Sequence, residues 1–213
     1  MKHNFKKEHI KKSLLFESAV LFGLIISIFI SSAARLETTC DDIRSSVLRL
    51  HVIANSDSRA DQELKLKVRD ALLETGAELF SGSADVSSAE SIAESEISQL
   101  EKAATQVLAA NGCNDVVHIE VGQSRFPTKT YGNVTLPAGR YEAVKVIIGK
   151  GEGHNWWCVM FPPMCLPAAQ GETRLDDVLS SDGMELVTSN SKYEIRFKLI
   201  EWYEWAKERI VGE

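Results

Sequence analysis

SVLRLHVIANSDSRADQELKLKVRDALL, residues 46–73, decides the fold. Its opening residues alternate. Leu48, Leu50, Val52 and Ala54 are wholly apolar, whereas Val47, Arg49, His51 and Ile53 are mixed, the pattern of a half-buried strand. Asn55–Ser58 read as a turn and a helix start. Ser58 followed by Asp61 has capping-box spacing, with Asp shorter than the usual Glu. From Ala60 to Phe80, Leu64, Val68, Ala71, Leu72 and Leu79 keep helical spacing, and Leu66, Leu73, Ala77 and Phe80 widen the stripe. A helix apolar over that much of its circumference packs on two sides.

Downstream, SGSADVSS (81–88) is a polar linker, and Ser87 with Glu90 offers a second capping box. A helix is expected over 88–110, with Ile97, Leu100, Ala104, Val107 and Leu108 on one face. Asn111-Gly112 stops it, because both residues tolerate positive φ. Val117, Ile119 and Val121 alternate as one strand; Val144, Val146 and Ile148 alternate as another. GQSRFPTKTYGNVTLPAG (122–139) is long for a hairpin loop, so it is either functional or holds short strands. GKGEG (149–153) reads as a flexible hinge. Ile195, Leu199, Trp202, Ala206 and Ile210 mark a C-terminal amphipathic helix. The expectation is a single α+β domain over 46–211, a mostly antiparallel sheet packed with about three helices.

The N-terminus stands outside that core. Lys2, Lys6, Lys7, Lys11 and Lys12 precede an apolar run from Leu14 to Ile30, and Ser32 and Ala34 follow at the spacing of a signal-peptidase site. Residues 1–34 are read as a signal peptide or an uncleaved membrane anchor, and 35–45 as a leader. Lysines before the run put the remainder outside the cytoplasm. The whole chain carries a formal charge of −6; without the five lysines and two glutamates of residues 1–34, a net +3, the remainder carries −9. An acidic domain with no basic run has no footprint for nucleic acid, and its contact with membrane is expected only through the N-terminal segment.

GHNWWCVMFPPMC (153–165) holds the candidate chemistry. A cysteine nucleophile needs a base in hydrogen-bond reach. His154 and Cys158 would share a face on a helix, but NWWCVMFPP favours a strand, on which four residues span about 13 Å. The histidines at 51, 118 and 154 and the cysteines at 40, 113, 158 and 165 show no short-spaced metal pair. His51 and His118 read as polar-face strand residues. IIGKGEGH lacks the third glycine of a dinucleotide fingerprint and the Lys-Ser/Thr of a phosphate loop. No cofactor is expected. In an oxidising compartment Cys158 pairs with Cys165, the chain turning back at Pro162-Pro163, or both remain buried thiols; Cys40 and Cys113 are the leftover pair. Trp156 and Trp157 point to opposite strand faces, so one of them is a candidate interface anchor.

LRLHVIANSDSRADQELKLKVRDALL (48–73), YGNVTLPAGRYEAVKVIIGKGEGHNWWCVMFPPMC (131–165) and YEIRFKLIEWYEW (193–205) closely resemble the stage II sporulation protein R family of endospore-forming bacteria. The resemblance implies a signalling protein rather than an enzyme. Such a protein is exported from the forespore into the intermembrane space and activates a membrane-embedded aspartic protease of the mother cell. That protease then removes the pro-sequence of the mother-cell sigma factor, sigma E. Our own reading places the activating surface on His51, Asn55, Asp57, His154 and Trp156, although Asn55 and Asp57 are equally well explained as a plain helix start. The rival reading is a secreted hydrolase acting on cell wall, with Cys158 or His154 in its site.

Overall fold

The computed structural model describes residues 2–164 and 174–188, with 198, 201 and 209 beyond them. The chain forms two units, Met1–Cys40 and Asp41–Glu213. Helix α1 runs Lys2–Ser45. Leu15, Phe16, Leu21, Phe22, Phe29 and Ile30 are all exposed along it, and its apolar stretch is long enough to cross a membrane. Of the expected leader, residues 41–45 belong to the second unit. There Ile43 is fully buried, and Arg44 donates from Nε (3.2 Å) and Nη2 (2.8 Å) to the carbonyl of Ala138.

The second unit continues with β1 (Leu48–Ile53), α2 (Arg59–Leu79), α3 (Val86–Ser95), α4 (Ile97–Ala110) and β2 (Val117–Phe126). Next come β3 (Lys129–Tyr131), β4 (Val134–Leu136), β5 (Gly139–Ile148) and β6 (Asn155–Phe161), then α5 (Leu175–Val178) and α6 (Ser181–Thr188). The main sheet has the order β2-β5-β1-β6. β1 pairs parallel with β5 and antiparallel with β6, and β2 pairs antiparallel with β5. β3 and β4 form a small antiparallel sheet of their own. The α+β expectation holds.

Helix α2 starts where the sequence says: Ser58 Oγ accepts from the Asp61 amide at 3.1 Å. It packs on both α4 and the sheet, as its wide stripe requires. Leu48, Leu50, Val52, Val144, Val146 and Ile148 meet Val68, Leu72, Leu100, Ala104 and Leu108 in one core. Full burial of each of these Val, Leu and Ile side chains contributes roughly 1.5–3 kcal/mol. The expected helix over 88–110 is two helices. α3 is capped by Asp85, which accepts from the Ser88 amide at 2.8 Å, rather than by Ser87. The chain breaks at Glu96, at φ −108° and ψ 21°, whose amide still bonds the Ile92 carbonyl, an acceptor it shares with Ser95 Oγ. Asn111-Gly112 ends α4, with Gly112 at φ +72°.

The long stretch 122–139 is no loop. β2 and β5 take up both its ends, and β3 and β4 lie between. β1 departs from the half-buried pattern because it is a central strand covered on both sides. Leu48, Arg49, Leu50, His51 and Val52 are all buried. Register sets His51 beside Lys145 and Lys145 beside Glu120, yet the Phe126 ring, six residues further along β2, lies 5.9 Å from the His51 ring. The outer halves of β2 and β5 therefore curl over the side of the sheet opposite the helices. Arg49, fully buried there, donates to the Cys158 carbonyl (2.9 Å) and the Tyr131 hydroxyl (2.7 Å). Its guanidinium lies over Phe126 and Tyr141 at 4.2 and 4.8 Å. Aromatic faces and two oxygens, with no carboxylate among the described residues, offset the cost of that buried charge. The expected C-terminal helix, from Ile195 to Ile210, lies outside the described residues but for its single points.

Candidate functional site

The parallel pair β1 and β5 brings two loops side by side at the carboxyl ends of the strands, Ala54–Ser58 and Gly149–His154. Asn55 Oδ1 accepts from the Lys150 amide (3.0 Å), while its Nδ2 donates to Asp61 Oδ2 (3.2 Å). The Ala54 carbonyl accepts from Gly153 (2.9 Å). Gly149 has φ +58°, and a side chain there would strike the Asn55 amide; at Gly153 it would strike the Ser56 carbonyl. GKGEG is thus not a hinge. Its glycines admit a second loop at backbone distance, and Asn55 fixes the shape of both.

Asp57 Oδ1 accepts from the His154 amide (2.7 Å) and makes a short hydrogen bond with His154 Nδ1. That bond, first among several causes, holds the Asp57 carboxyl below its ordinary value. Both side chains stay open to solvent, 54% exposed for Asp57 and 76% for His154. From below, Lys65 Nζ donates to the His154 carbonyl (2.9 Å) and to Gln62 Oε1 (2.6 Å). Gln62 Nε2 in turn donates to the Ser56 carbonyl (2.9 Å). Lys65 is 3% exposed, and burial lowers its pKa, partly opposed by Asp57. Ser56 Oγ donates to Asp61 Oδ2 (2.5 Å), the largest of the causes that hold the Asp61 carboxyl below its usual range.

The structure therefore brings together three of the five expected site residues, Asn55, Asp57 and His154. His51 lies on the side of the sheet away from the helices, buried between Trp157 and Phe126 and not on a polar face. Trp156 lies on the helix side, packed against the core with Arg69 over its ring at 4.6 Å. Neither tryptophan is an exposed anchor, since both are half-buried. His118 does occupy a polar strand position, exposed and 3.3 Å from Glu120. Sequence reasoning missed Lys65 and Gln62. The signal was there for Lys65, which shares an apolar row with Val68, Leu72 and Gly76 on α2.

Cys158 is buried and disulfide-bonded, so it offers no thiolate to a hydrolase. Neither Cys40 nor Cys113 is in a disulfide; Cys165 lies outside the described residues. No group of three or more metal-binding side chains occurs among the described residues.

The family model for stage II sporulation protein R matches residues 44–170, more than half of the chain. The chain belongs to the stage II sporulation protein R family. The resemblance of 48–73 and 131–165 is borne out, while 193–205 falls beyond the match. The stage II sporulation protein R of Bacillus subtilis (strain 168) is 31% identical over 181 residues, which cover 75% of this chain and 81% of the relative. No solved structure matches the chain. As a family member it is a sporulation protein, and both bolted loops lie inside the matched region.

Proposed function

We propose that this chain is an exported sporulation signal that activates a membrane-embedded aspartic protease. The protease then removes the pro-sequence of the mother-cell sigma factor, sigma E. Family membership carries the reading. An apolar N-terminal helix ahead of the folded unit supports export from the forespore, by cleavable signal or retained anchor, into the intermembrane space.

The Asp57–His154 clasp is the surface we assign to the partner. It is solvent-exposed, and Asn55, Lys65 and Gln62 hold it in one conformation, so little ordering entropy is lost on binding. The domain acts by binding the active arrangement of the protease better than the inactive one, and only that difference shifts the equilibrium. The test is a processing assay in a non-sporulating host carrying the protease and its pro-sigma substrate. Pro-sequence removal that depends on export of this chain is expected, and His154→Ala abolishes it in a folded domain. No processing with a competent protease and a folded, exported domain overturns the reading. Full activity of His154→Ala overturns the placement of the surface.

A further inference from the structure

On the side of the sheet away from the helices, side chains from three strands form a chain of hydrogen bonds. His51 Nε2 lies 2.9 Å from Asn155 Oδ1, and an amide oxygen only accepts. The imidazole proton therefore sits on Nε2, and Nδ1 keeps a lone pair. Nδ1 faces Ser124 Oγ at 3.4 Å, so the hydroxyl is the donor. The ring is held by the Trp157 face, 6.0 Å away and 21° from parallel, and by the edge-on Phe126 ring at 5.9 Å. Hydroxyl, base and orienting amide are the parts of a nucleophilic relay, and in ligand-free sites the first of these bonds is commonly long.

We propose that Ser124, His51 and Asn155 form a nucleophile, base and orienting group that take an acyl group from an ester. Ser124 Oγ attacks the ester carbonyl as His51 Nδ1 accepts its proton. The carbon–oxygen bond to the leaving alcohol breaks, and that alcohol takes the proton back from His51. Water then attacks the acyl-serine by the same route, releasing a carboxylic acid and restoring Ser124. Beyond His51, half-buried Ile53 and Ile147 are register partners and Asn155 pairs with Ile53, which suits a short apolar acyl chain. Burial lowers the His51 pKa and keeps the base neutral. The charged groups around it are Arg49 on its own strand, Lys145 on β5 and, paired with Lys145 at 3.2 Å, Glu120 on β2; β6 presents Asn155, Trp157 and Val159, none of them charged. Asn155 directly follows His154, but the relay is read by serine labelling, a measurement that does not involve the protease, so it is tested separately from the signalling reading.

The experiment treats the full chain in mild detergent with an alkyl fluorophosphonate and locates the adduct by mass spectrometry. Ser124 should be labelled at least about tenfold faster than any other serine, and His51→Gln should slow that labelling by about a hundredfold. The labelling rate should rise with pH to a plateau with a midpoint below the ordinary histidine value of 6.5. Asn155→Asp should move that midpoint upward, a shift that a merely structural contact does not produce. Release of p-nitrophenol from p-nitrophenyl butyrate should disappear in Ser124→Ala. Labelling of Ser124 at the rate of exposed serines overturns the proposal. So does an unchanged midpoint in folded Asn155→Asp, which decides the matter even if His51→Gln fails to fold.

Discussion

Lys65 Nζ donates to the backbone carbonyl of His154 across 2.9 Å, joining the first turns of α2 to the loop that leads into β6. A buried ammonium in an otherwise apolar helix row is expensive unless it makes such bonds. Lys65→Ala leaves a loop carbonyl without its donor. Chemical denaturation should show a loss of about 1–3 kcal/mol. Processing activity should fall with it, because the carbonyl belongs to the residue that carries the clasp.

Gly153→Ala tests how closely the loops approach. The added methyl meets the Ser56 carbonyl, which Gln62 already holds, so the neighbour cannot rotate away as a side chain would. The expected loss is ~1–3 kcal/mol, read as a lower denaturation midpoint. Asn55→Ala should cost about 1 kcal/mol and speed amide exchange at Lys150, whose N–H it currently binds.

Trp156→Ala should lower stability by about 2–3 kcal/mol, because the ring packs on the core beneath Arg69. Signalling lost in this variant tracks the unfolded fraction. His154→Ala, by contrast, should leave the melting curve nearly unchanged.

Acid should open the clasp before it unfolds the domain. The carboxyls of Asp57 and Asp61 are both held below the ordinary aspartate value of 3.8. A depressed folded-state pKa contributes stability that is present above the unfolded value and lost as pH falls through the folded one. Amide exchange at His154, corrected for its intrinsic rate, should therefore accelerate below about pH 3.8 while Leu50 in β1 stays protected.

Cys158→Ser removes the disulfide of a strand that pairs with β1. With Cys165 as partner, the loop-entropy relation gives a loss of roughly 2–3 kcal/mol, and non-reducing digestion should yield a peptide linking 158 to 165. A 158-containing peptide free of Cys165 would refute that pairing.

The strand–turn–helix over 46–73 was legible because its period changes from two to 3.6 at a run of turn residues. The stop at Asn111-Gly112 and the strand nature of NWWCVMF were legible for similar local reasons. What could not be read depends on neighbours far along the chain. Arg49 and His51 look like solvent-facing positions until β2 and β5 curl over them. Gly149 and Gly153 look like a hinge until Asn55 and Ser56 arrive from 94 and 97 residues earlier. Asn55, Asp57 and His154 were placed in the candidate site as polar residues near one end of the sheet, and the parallel pairing of β1 with β5 then brought them together. Trp156 was misjudged because alternation fixes which side a strand residue faces, not whether something covers that side.

The order β2-β5-β1-β6 also has a consequence in time. Both neighbours of β1 lie within residues 139–161, so the first strand to be delivered waits longest for a partner. A chain that emerges N-terminus first, from a ribosome or across a bilayer, holds β1 as an orphan until β5 has appeared, at about two-thirds of its length. Asp57 likewise waits for His154. A chain stalled midway thus presents neither a complete sheet nor a clasp, and both form only once residues up to Phe161 have been delivered.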